Sequence, residues 1–302
     1  MNYKIIIKNR NLRIKILRLL NFIPDKWMIK MQYRIAMGYK LNLKNPKKFT
    51  EKLQWYKLYY KDPLMKVCSD KYSVREYVKE KKLEDILVPL YEVYNSSAEI
   101  NFDKLPNSFV IKTTLGGGNN QVKVVNDINE TNKTEMIYSI KKWKINNNFK
   151  SVSREWGYQS NNEKIIIEEN LYTKYNKSIV DYKFFCFNGE PKYLYLITER
   201  DTKNGPFLDI YDIDFNKLPF RRPDIKNSMK IYKKPDNFDK MLEIAKTLSN
   251  DFPHVRVDLY NFNGKIYFGE MTFYNGSGYK QYIPNNYDFV VGNYFVLPEE
   301  RH

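Results

Sequence analysis

The stretch that decides the fold lies near the end of the chain: His254-Val255-Arg256-Val257-Asp258-Leu259-Tyr260, then Asn263-Gly264, then Lys265-Ile266-Tyr267-Phe268-Gly269-Glu270-Met271-Thr272. Short alternating runs flank an Asn-Gly pair, a strong short-range signal for a two-residue hairpin turn. The reading is two antiparallel strands. Side chains two apart share a face, so Arg256, Asp258 and Tyr260 point one way on the first strand. Phe268, Glu270 and Thr272 share a face on the second. If those faces coincide, Asp258 and Glu270 stand side by side next to a cationic arginine. Two carboxylates suit magnesium, a hard ion that binds through a few carboxylates plus substrate phosphates. A hairpin with solvated charges on its outer face gives the same pattern, so the residues upstream have to decide.

At 302 residues the chain can bury a core in one large domain or in two to three lobes. An apolar content of 42%, with 18 Phe and 26 Tyr, argues for a globular chain and against disorder. The net charge of +16 attracts anions: nucleotides, acidic glycans, nucleic acid or an anionic membrane. The basic residues are read as spread over the whole chain, and no zinc-finger or RNP-type motif occurs, which argues against nucleic acid. Cys68 and Cys186 are far apart and form no CxxC, so they read as small buried side chains in a reducing compartment. His254 and His302 are the only histidines, which argues against histidine metal sites and a Ser-His-Asp triad. No apolar run of about 18 residues occurs and no secretory signal is evident. The expected location is the cytoplasm.

Residues 11–35 carry apolar side chains at near-helical spacing with basic residues interleaved. They would either rest on an anionic membrane surface or dock on the protein, and the Pro24-Asp25 break favours docking by two short helices. Helices are expected from Thr50-Glu51-Lys52, from Asp62-Pro63 and from Asp70-Lys71-Tyr72-Ser73 into Val74, with Asp70 and Lys71 capping and flanking. The period then changes. Strands are expected at 88–94, 109–113, 121–125, 164–169, 179–187 and 192–197, with an Asn188-Gly189 turn. A lysine-rich helix is expected near 132–146 and another over 236–249, while the polar stretch 147–163 reads as mobile. Strands with helices inserted among them indicate an α+β fold.

Leu115-Gly116-Gly117-Gly118-Asn119-Asn120 sits between two strands just after Lys112. Glycines let backbone amides approach a phosphate closely, and a lysine adds a point charge. The loop is neither GxxxxGK[ST] nor GxGxxG and does not open a helix. By itself it is also what a plain flexible hairpin would show.

The order of these features resembles the ATP-grasp enzymes, in which two lobes clamp ATP between antiparallel sheets, and within them the TupA-like branch associated with teichuronopeptide and capsular polysaccharide synthesis. The specific segments are Asp181-Tyr182-Lys183-Phe184 and Arg256-Val257-Asp258 with Gly269-Glu270-Met271-Thr272-Phe273; Asn45 to Trp55 and Asp70 to Arg75 also match. The resemblance implies a helical region over residues 1–85, a lid lobe over 86–168 and a core lobe with the metal site over 169–302. It implies that Lys112 contacts the α- and β-phosphates and that Gly116, Gly117 and Gly118 close over the triphosphate. Glu168 or Glu169 would sit at the hinge near adenine, with Leu171 supplying a backbone or apolar contact. Lys183 would reach ribose or phosphate, Arg256 would stabilise the transferred phosphoryl group, and Asp258 and Glu270 would hold Mg2+. Thr272 stands where the family has a third metal ligand, Asn, and Leu115 where the branch commonly has His. The implied cofactors are ATP and Mg2+, and the implied reaction is ATP-dependent carboxylate–amine ligation through an acyl phosphate. The expected partners are an anionic glycan or its precursor and an amine or amino acid, with peripheral association at the inner membrane surface open. Arg154 and Arg221-Arg222 are candidate glycan contacts or solvated loop residues. The alternative is a nucleotide-sugar glycosyltransferase using Asp212 and Asp214, the ends of a short acidic motif that also reads as the approach to a turn.

Overall fold

The structure is a computed structural model that describes residues 10–117, 121–146, 152–159, 162–175, 179–200 and 202–301. Gly118, Asn119, Asn120, His302 and residues 147–151 and 160–161 lie outside them. Five helices come first: α1 (Arg10–Leu19), α2 (Asp25–Met37), α3 (Phe49–Tyr59), α4 (Pro63–Ser69) and α5 (Val74–Glu80). Pro24 separates α1 from α2, as the break in the pattern predicts. Asp62 caps α4, its carboxylate accepting from the Leu64 amide at 2.9 Å, with Pro63 in the first turn where its missing N–H costs nothing.

A four-stranded antiparallel sheet follows, in the order β1 (Leu90–Tyr94), β4 (Ile165–Glu168), β2 (Phe109–Thr113), β3 (Val122–Val125). Helix α6 (Lys133–Asn146) covers it, and Phe109, Ile111, Met136, Ile140, Ile165 and Ile167 form its core. After the short α7 (Leu171–Tyr175) comes a five-stranded antiparallel sheet: β7 (Phe207–Asp212), β6 (Glu190–Thr198), β5 (Asp181–Phe187), β8 (His254–Phe262) and β9 (Lys265–Thr272). Helices α8 (Phe238–Ser249) and α9 (Tyr287–Tyr294) complete the chain. Both Asn-Gly hairpins form with φ positive at both residues, 47° and 78° at Asn188-Gly189 and 51° and 88° at Asn263-Gly264, the turn whose twist matches paired strands.

Strand β5 is buried at every position because it is central and covered on both faces. One face, with Phe184 and Cys186, meets Phe238 and Ala245 of α8. The other face is divided. Phe185, Phe187 and His254 of neighbouring β8 lie under Phe49 of α3, with ring centroids 5.2 to 6.3 Å apart. Further along the same face, Asp181 and Lys183 pair with Tyr260 and Asp258 and are left uncovered by the helix. The apolar half of the face therefore binds the helices, and the charged half is left to a cleft.

Three expectations are corrected. Phe268 does not share a face with Glu270: the register shifts between Asp258 and Leu259, so Glu270 pairs with Asp258 but Phe268 pairs with Leu259 and enters the core. Residues 152–159 are not a loose polar stretch. Val152, Arg154, Glu155 and Gly157 are buried, and the Gly157 backbone lies so close to Ser69 and Met65 of α4 that an added Cβ would stand 2.7 Å from the Ser69 hydroxyl. Arg154 is not free for a glycan. It is buried and bonded to Asp25 at 2.8 Å and to the Asn21 carbonyl at 3.2 Å, tying down the start of α2. Cys68 and Cys186 are free, buried thiols; burial pushes Cys186 up to about 12, so it stays protonated and inert.

His254 is fully buried, with Nδ1–H donating to the Cys186 carbonyl at 2.8 Å. Burial, reinforced by the charge of Arg256, lowers its imidazole to about 3. In the unfolded chain it titrates near ~6.5. Below that pH the unfolded state takes up a proton that the folded state refuses, so stability falls with acidification by about 1.4 kcal/mol per pH unit, until the pH reaches the folded value. His254→Phe is expected to flatten the acid limb of a stability-versus-pH curve from urea unfolding between pH 4 and 7. Coincident slopes for the two proteins would remove His254 as the source.

Candidate active site

Between the two sheets lies a cleft of about 790 Å³. Its floor is the charged half of β5, β8 and β9, its roof includes Lys112, Gly116, Gly117 and Val122, and Glu168, Glu169 and Leu171 lie at the back. A separate depression of about 420 Å³, lined by Asn188, Asn250 and Arg301 among others, contains none of these charges.

The floor carries one connected row of alternating charge. Arg200 Nε meets Asp181 Oδ2 at 2.5 Å, and Asp181 Oδ1 meets Lys183 Nζ at 3.3 Å. Lys183 donates to Asp258 Oδ2. Arg256 holds the same carboxylate with two bonds, Nε to Oδ1 at 2.6 Å and Nη2 to Oδ2 at 2.8 Å, a fork-to-fork pair. Nη2 also reaches Glu270 Oε1 at 3.2 Å and the Thr272 hydroxyl at 3.0 Å, while Nη1 donates to Asn275 at 2.8 Å. Lys71 Nζ closes the row 3.3 Å from Glu270 Oε2. Asp181 and Asp258 are buried, and charges removed from water persist only with such partners. Burial alone would raise the Glu270 carboxyl, yet Lys71, Arg256 and Lys183 hold it well below the usual carboxylate range. Burial would likewise lower Arg256, but Asp258 and Glu270 raise it above its ordinary value.

Asp258, Glu270, Thr272, Arg256 and Lys183, singled out in the sequence, are thus brought together. Lys112, Gly116 and Gly117 face them across the cleft; Lys112 Nζ pairs with Glu168 Oε2 at 2.5 Å, and Arg75 Nη1 approaches the same carboxylate at 3.7 Å. Glu169 pairs instead with Lys174, at 2.7 Å. Leu171 is buried against Val88 and Tyr267 at the back. The two described glycines of the loop differ: a Cβ on Gly116 would lie within 3 Å of Thr113 and Gln121, whereas one on Gly117 would meet none of the described residues within 4 Å.

The sequence reading missed Lys71, Arg75, Asp181 as an ion-pair partner, and Arg200. Asp70 does cap, accepting from the Tyr72 and Ser73 amides at 2.9 Å, but Lys71 does more than flank a helix: besides Glu270 it donates to the Gly116 carbonyl at 2.6 Å, joining floor to glycine loop. No local pattern marks a lysine as facing a carboxylate some two hundred residues away. Asp212 and Asp214 fall outside the cleft. Asp212 accepts from the amides of Asp214 and Asn216 at 3.0 and 2.7 Å, so it builds the turn after edge strand β7, and Asp214 is exposed. The nucleotide-sugar alternative loses its metal motif.

The donors fit magnesium in kind. Asp258 and Glu270 are direct cross-strand partners with hard oxygens, and the Thr272 hydroxyl is 3.2 Å from Glu270; both Asp258 oxygens already accept from Arg256 and Lys183, so a metal ion would share that carboxylate with them. Among the described residues no cluster of three or more His, Cys, Asp or Glu forms a metal site, so magnesium here would depend on phosphate oxygens for its remaining ligands.

Two antiparallel sheets closing on a cleft with this floor define the ATP-grasp fold. The profile of the TupA-like ATP-grasp family matches residues 51–296, and the chain belongs to that family. Among solved structures it is similar to the D-alanine–D-alanine ligase of Bacillus anthracis, at 17% identity and a TM-score of 0.44 over 68% of this chain and 57% of that one. It is also similar to the corresponding ligase of Helicobacter pylori, at 16% identity and 0.40 over 77% and 62%, and to an ADP complex of N5-carboxyaminoimidazole ribonucleotide synthetase, at 12% and 0.40 over 69% and 45%. The chain thus spans about half to three-fifths of the length of these structures. No curated protein matches it.

Lys71→Met removes one of the three cations that lower Glu270. The expected outcome is a Glu270 titration raised toward the ordinary glutamate value in carboxyl carbon NMR. Because a lowered folded value stabilises the protein above the unfolded value and that stability is lost as pH falls, the variant should be less stable than wild type at neutral pH and should lose less further stability on acidification. An unmoved Glu270 resonance would mean that Lys71 does not act on it.

Proposed function

We propose that this chain is an ATP-dependent, ADP-forming carboxylate–amine ligase. The observation that carries the reading is the floor row: four cations against three carboxylates, net positive and facing a glycine loop, a surface suited to a polyphosphate. Lys112 and Lys183, from opposite walls, would bind phosphate oxygens, and open Gly117 would let the loop backbone approach them. Glu168 or Glu169, with Leu171, would border the adenine end. Asp258 and Glu270 would hold magnesium, which when bound supplies charge to neutralise the phosphates. Arg256, fixed in orientation by Asp258, Glu270 and Asn275, would stabilise charge on the phosphoryl group in transfer and costs little reorganisation to do so.

In the reaction, an oxygen of the substrate carboxylate attacks the γ-phosphorus and the bond to the ADP oxygen breaks. An amine then attacks the acyl carbon and gives up a proton, and phosphate leaves with the carboxylate oxygen. The only histidine among the described residues, His254, is buried beneath α3 and neutral, so it cannot serve as the base. The substrate class is an anionic surface polysaccharide of capsular or teichuronic type, or its precursor, with an amino acid or other amine as partner. Its support is the family together with Arg222 and Lys280, which line the cleft where they share Asp224 at 2.7 and 2.5 Å.

With ATP, magnesium, a uronate-bearing glycan and an amino acid, the expected products are ADP and phosphate in step with amide formation, and oxygen label from the carboxylate should appear in phosphate. AMP and pyrophosphate, with the label in AMP, would refute the acyl phosphate. Glu270→Gln should lower turnover by at least about a hundredfold, on the order of 2.7 kcal/mol of transition-state stabilisation, while Asp212→Asn, reshaping only its turn, should keep most of it. The reverse ranking would overturn the site.

A further inference from the structure

Residues 1–50 hold thirteen lysines and arginines against one acidic residue, Asp25: a net +12 of the whole chain's +16. The charge is therefore not spread evenly, as the composition suggested, but concentrated before the first sheet. The one acid is taken, since Arg154 pairs with it.

Helix α2 shows how this charge is presented. Its inner side, Ile29, Tyr33 and Met37, packs against Leu58 of α3 and against Tyr279. Trp27, Met31 and Ile35, four residues apart, form an exposed apolar stripe. Lys26, Lys30 and Arg34 repeat the spacing one residue earlier and form a basic stripe beside it; Lys30 Nζ lies 5.2 Å from the Trp27 ring centroid. At the α1–α2 junction Leu19 is 76% exposed and Phe22 81%, and Trp27 in the first turn of α2 is 66% exposed. Large apolar side chains left in water beside a row of cations match the pattern of a helix lying in a membrane interface, aromatic and aliphatic groups at the acyl boundary and cations at the headgroups.

We propose that this face docks the protein on an anionic membrane surface. No described helix is long and apolar enough to cross a membrane, so the contact is interfacial. A soluble polyanion would use the basic stripe but leave Phe22, Leu19 and Trp27 in water, and a second copy of this chain would bring a like-charged face against it. An anionic bilayer satisfies both stripes at once. Docking has a consequence for the cleft that rests on the proposed ligase reading. On the inner side of α2, Gln32 donates to the Val152 carbonyl at 2.9 Å and accepts from the Tyr279 hydroxyl at 3.0 Å. Their neighbours Ser153, Ser277 and Lys280 line the cleft. The docking face thus sits about one helix diameter, ~10 Å, from that end of the cleft, close enough for an acceptor held at the bilayer surface to enter it.

The test is co-sedimentation of the full chain with vesicles of phosphatidylcholine alone or with about a third phosphatidylglycerol, at low and high salt; it needs neither ATP nor turnover, so its failure leaves the ligase reading standing. Binding is expected to be at least about tenfold stronger to the anionic vesicles and to weaken with salt. Phe22→Ser with Trp27→Ser should lower it about tenfold with an unchanged melting temperature, both side chains being outside the core, and Lys26→Gln with Arg34→Gln should remove the preference for phosphatidylglycerol. Equal partition into both vesicles, no sedimentation, or binding untouched by the Phe22/Trp27 pair would overturn the proposal. So would a concentration-dependent dimer, seen by sedimentation velocity, that the same pair abolishes.

Discussion

Everything in the cleft depends on how the face shared by β5 and β8 is divided. Phe185, Phe187 and His254 occupy one half and bind Phe49 of α3; Asp181, Lys183, Arg256 and Asp258 occupy the other and line the cleft. A buried carboxylate is costly in a low-dielectric interior unless counter-charges or hydrogen-bond donors meet it, and removing one member of a buried pair costs about 3–5 kcal/mol because its neighbour is stranded. Alternation of sign along Arg200, Asp181, Lys183, Asp258, Arg256, Glu270 and Lys71 meets that constraint at every step. Such a row adds little net stability compared with apolar packing. What it supplies is orientation: Arg256 has no freedom to turn away, and a charge that is already desolvated and fixed interacts strongly with whatever enters.

The helices before the first sheet complete this site as well as supporting it. Lys71 and Arg75 reach Glu270 and Glu168, one on the floor and one on the small sheet, and the Lys71 amide donates to the Thr114 carbonyl at 2.9 Å. At the other end, Gln54 and Lys57 of α3 both donate to the Ser277 carbonyl, at 3.1 and 2.8 Å, beneath residues 276–278, whose φ values are all positive. Burial lowers Lys57 to about 8, and its bonds to the Ser153 and Ser277 carbonyls hold two cleft-lining segments at once. The helices, the glycine loop and the hairpin are therefore mechanically connected through two lysines rather than through a shared apolar core alone.

What could be read in advance was local. The Asn188-Gly189 and Asn263-Gly264 turns follow from residue type, since few side chains accept a positive φ twice in succession. The α4 start follows from Asp62-Pro63. That Arg256 and Asp258 share a face follows from strand periodicity, but the two-residue turn alone would set Asp258 opposite Gly269, so the meeting of Asp258 with Glu270 depends on the register shift. Lys71, Arg75 and Arg200 were not legible, because each acquires its role only when distant segments meet and lysines and arginines are common along the chain. The ordering of residues 152–159 was also hidden: it depends on Gly157 allowing close approach to α4 and on Trp156 reaching the Asp62 carbonyl at 3.3 Å. Periodicity failed in one place, and that failure bears on the chemistry.

Gly269 is the residue at fault. On an uninterrupted strand Phe268 and Glu270 would face the same way, so either a phenylalanine would occupy the charged floor or a glutamate would enter the core. The bulge removes that conflict: two residues of β9 are accommodated opposite one step of β8, Glu270 stays beside Asp258, and Phe268 turns inward beside Leu259. A Cβ at position 269 would stand 3.1 Å from the Asp258 carbonyl and 3.1 to 3.2 Å from the Tyr260 ring and hydroxyl, a tight fit that glycine avoids. Asp258 and Glu270 can therefore share a face on a strand whose neighbouring residues build the core, and the one-residue irregularity that a sequence pattern cannot reveal is what brings two carboxylates together on the charged half of a sheet whose other half is apolar.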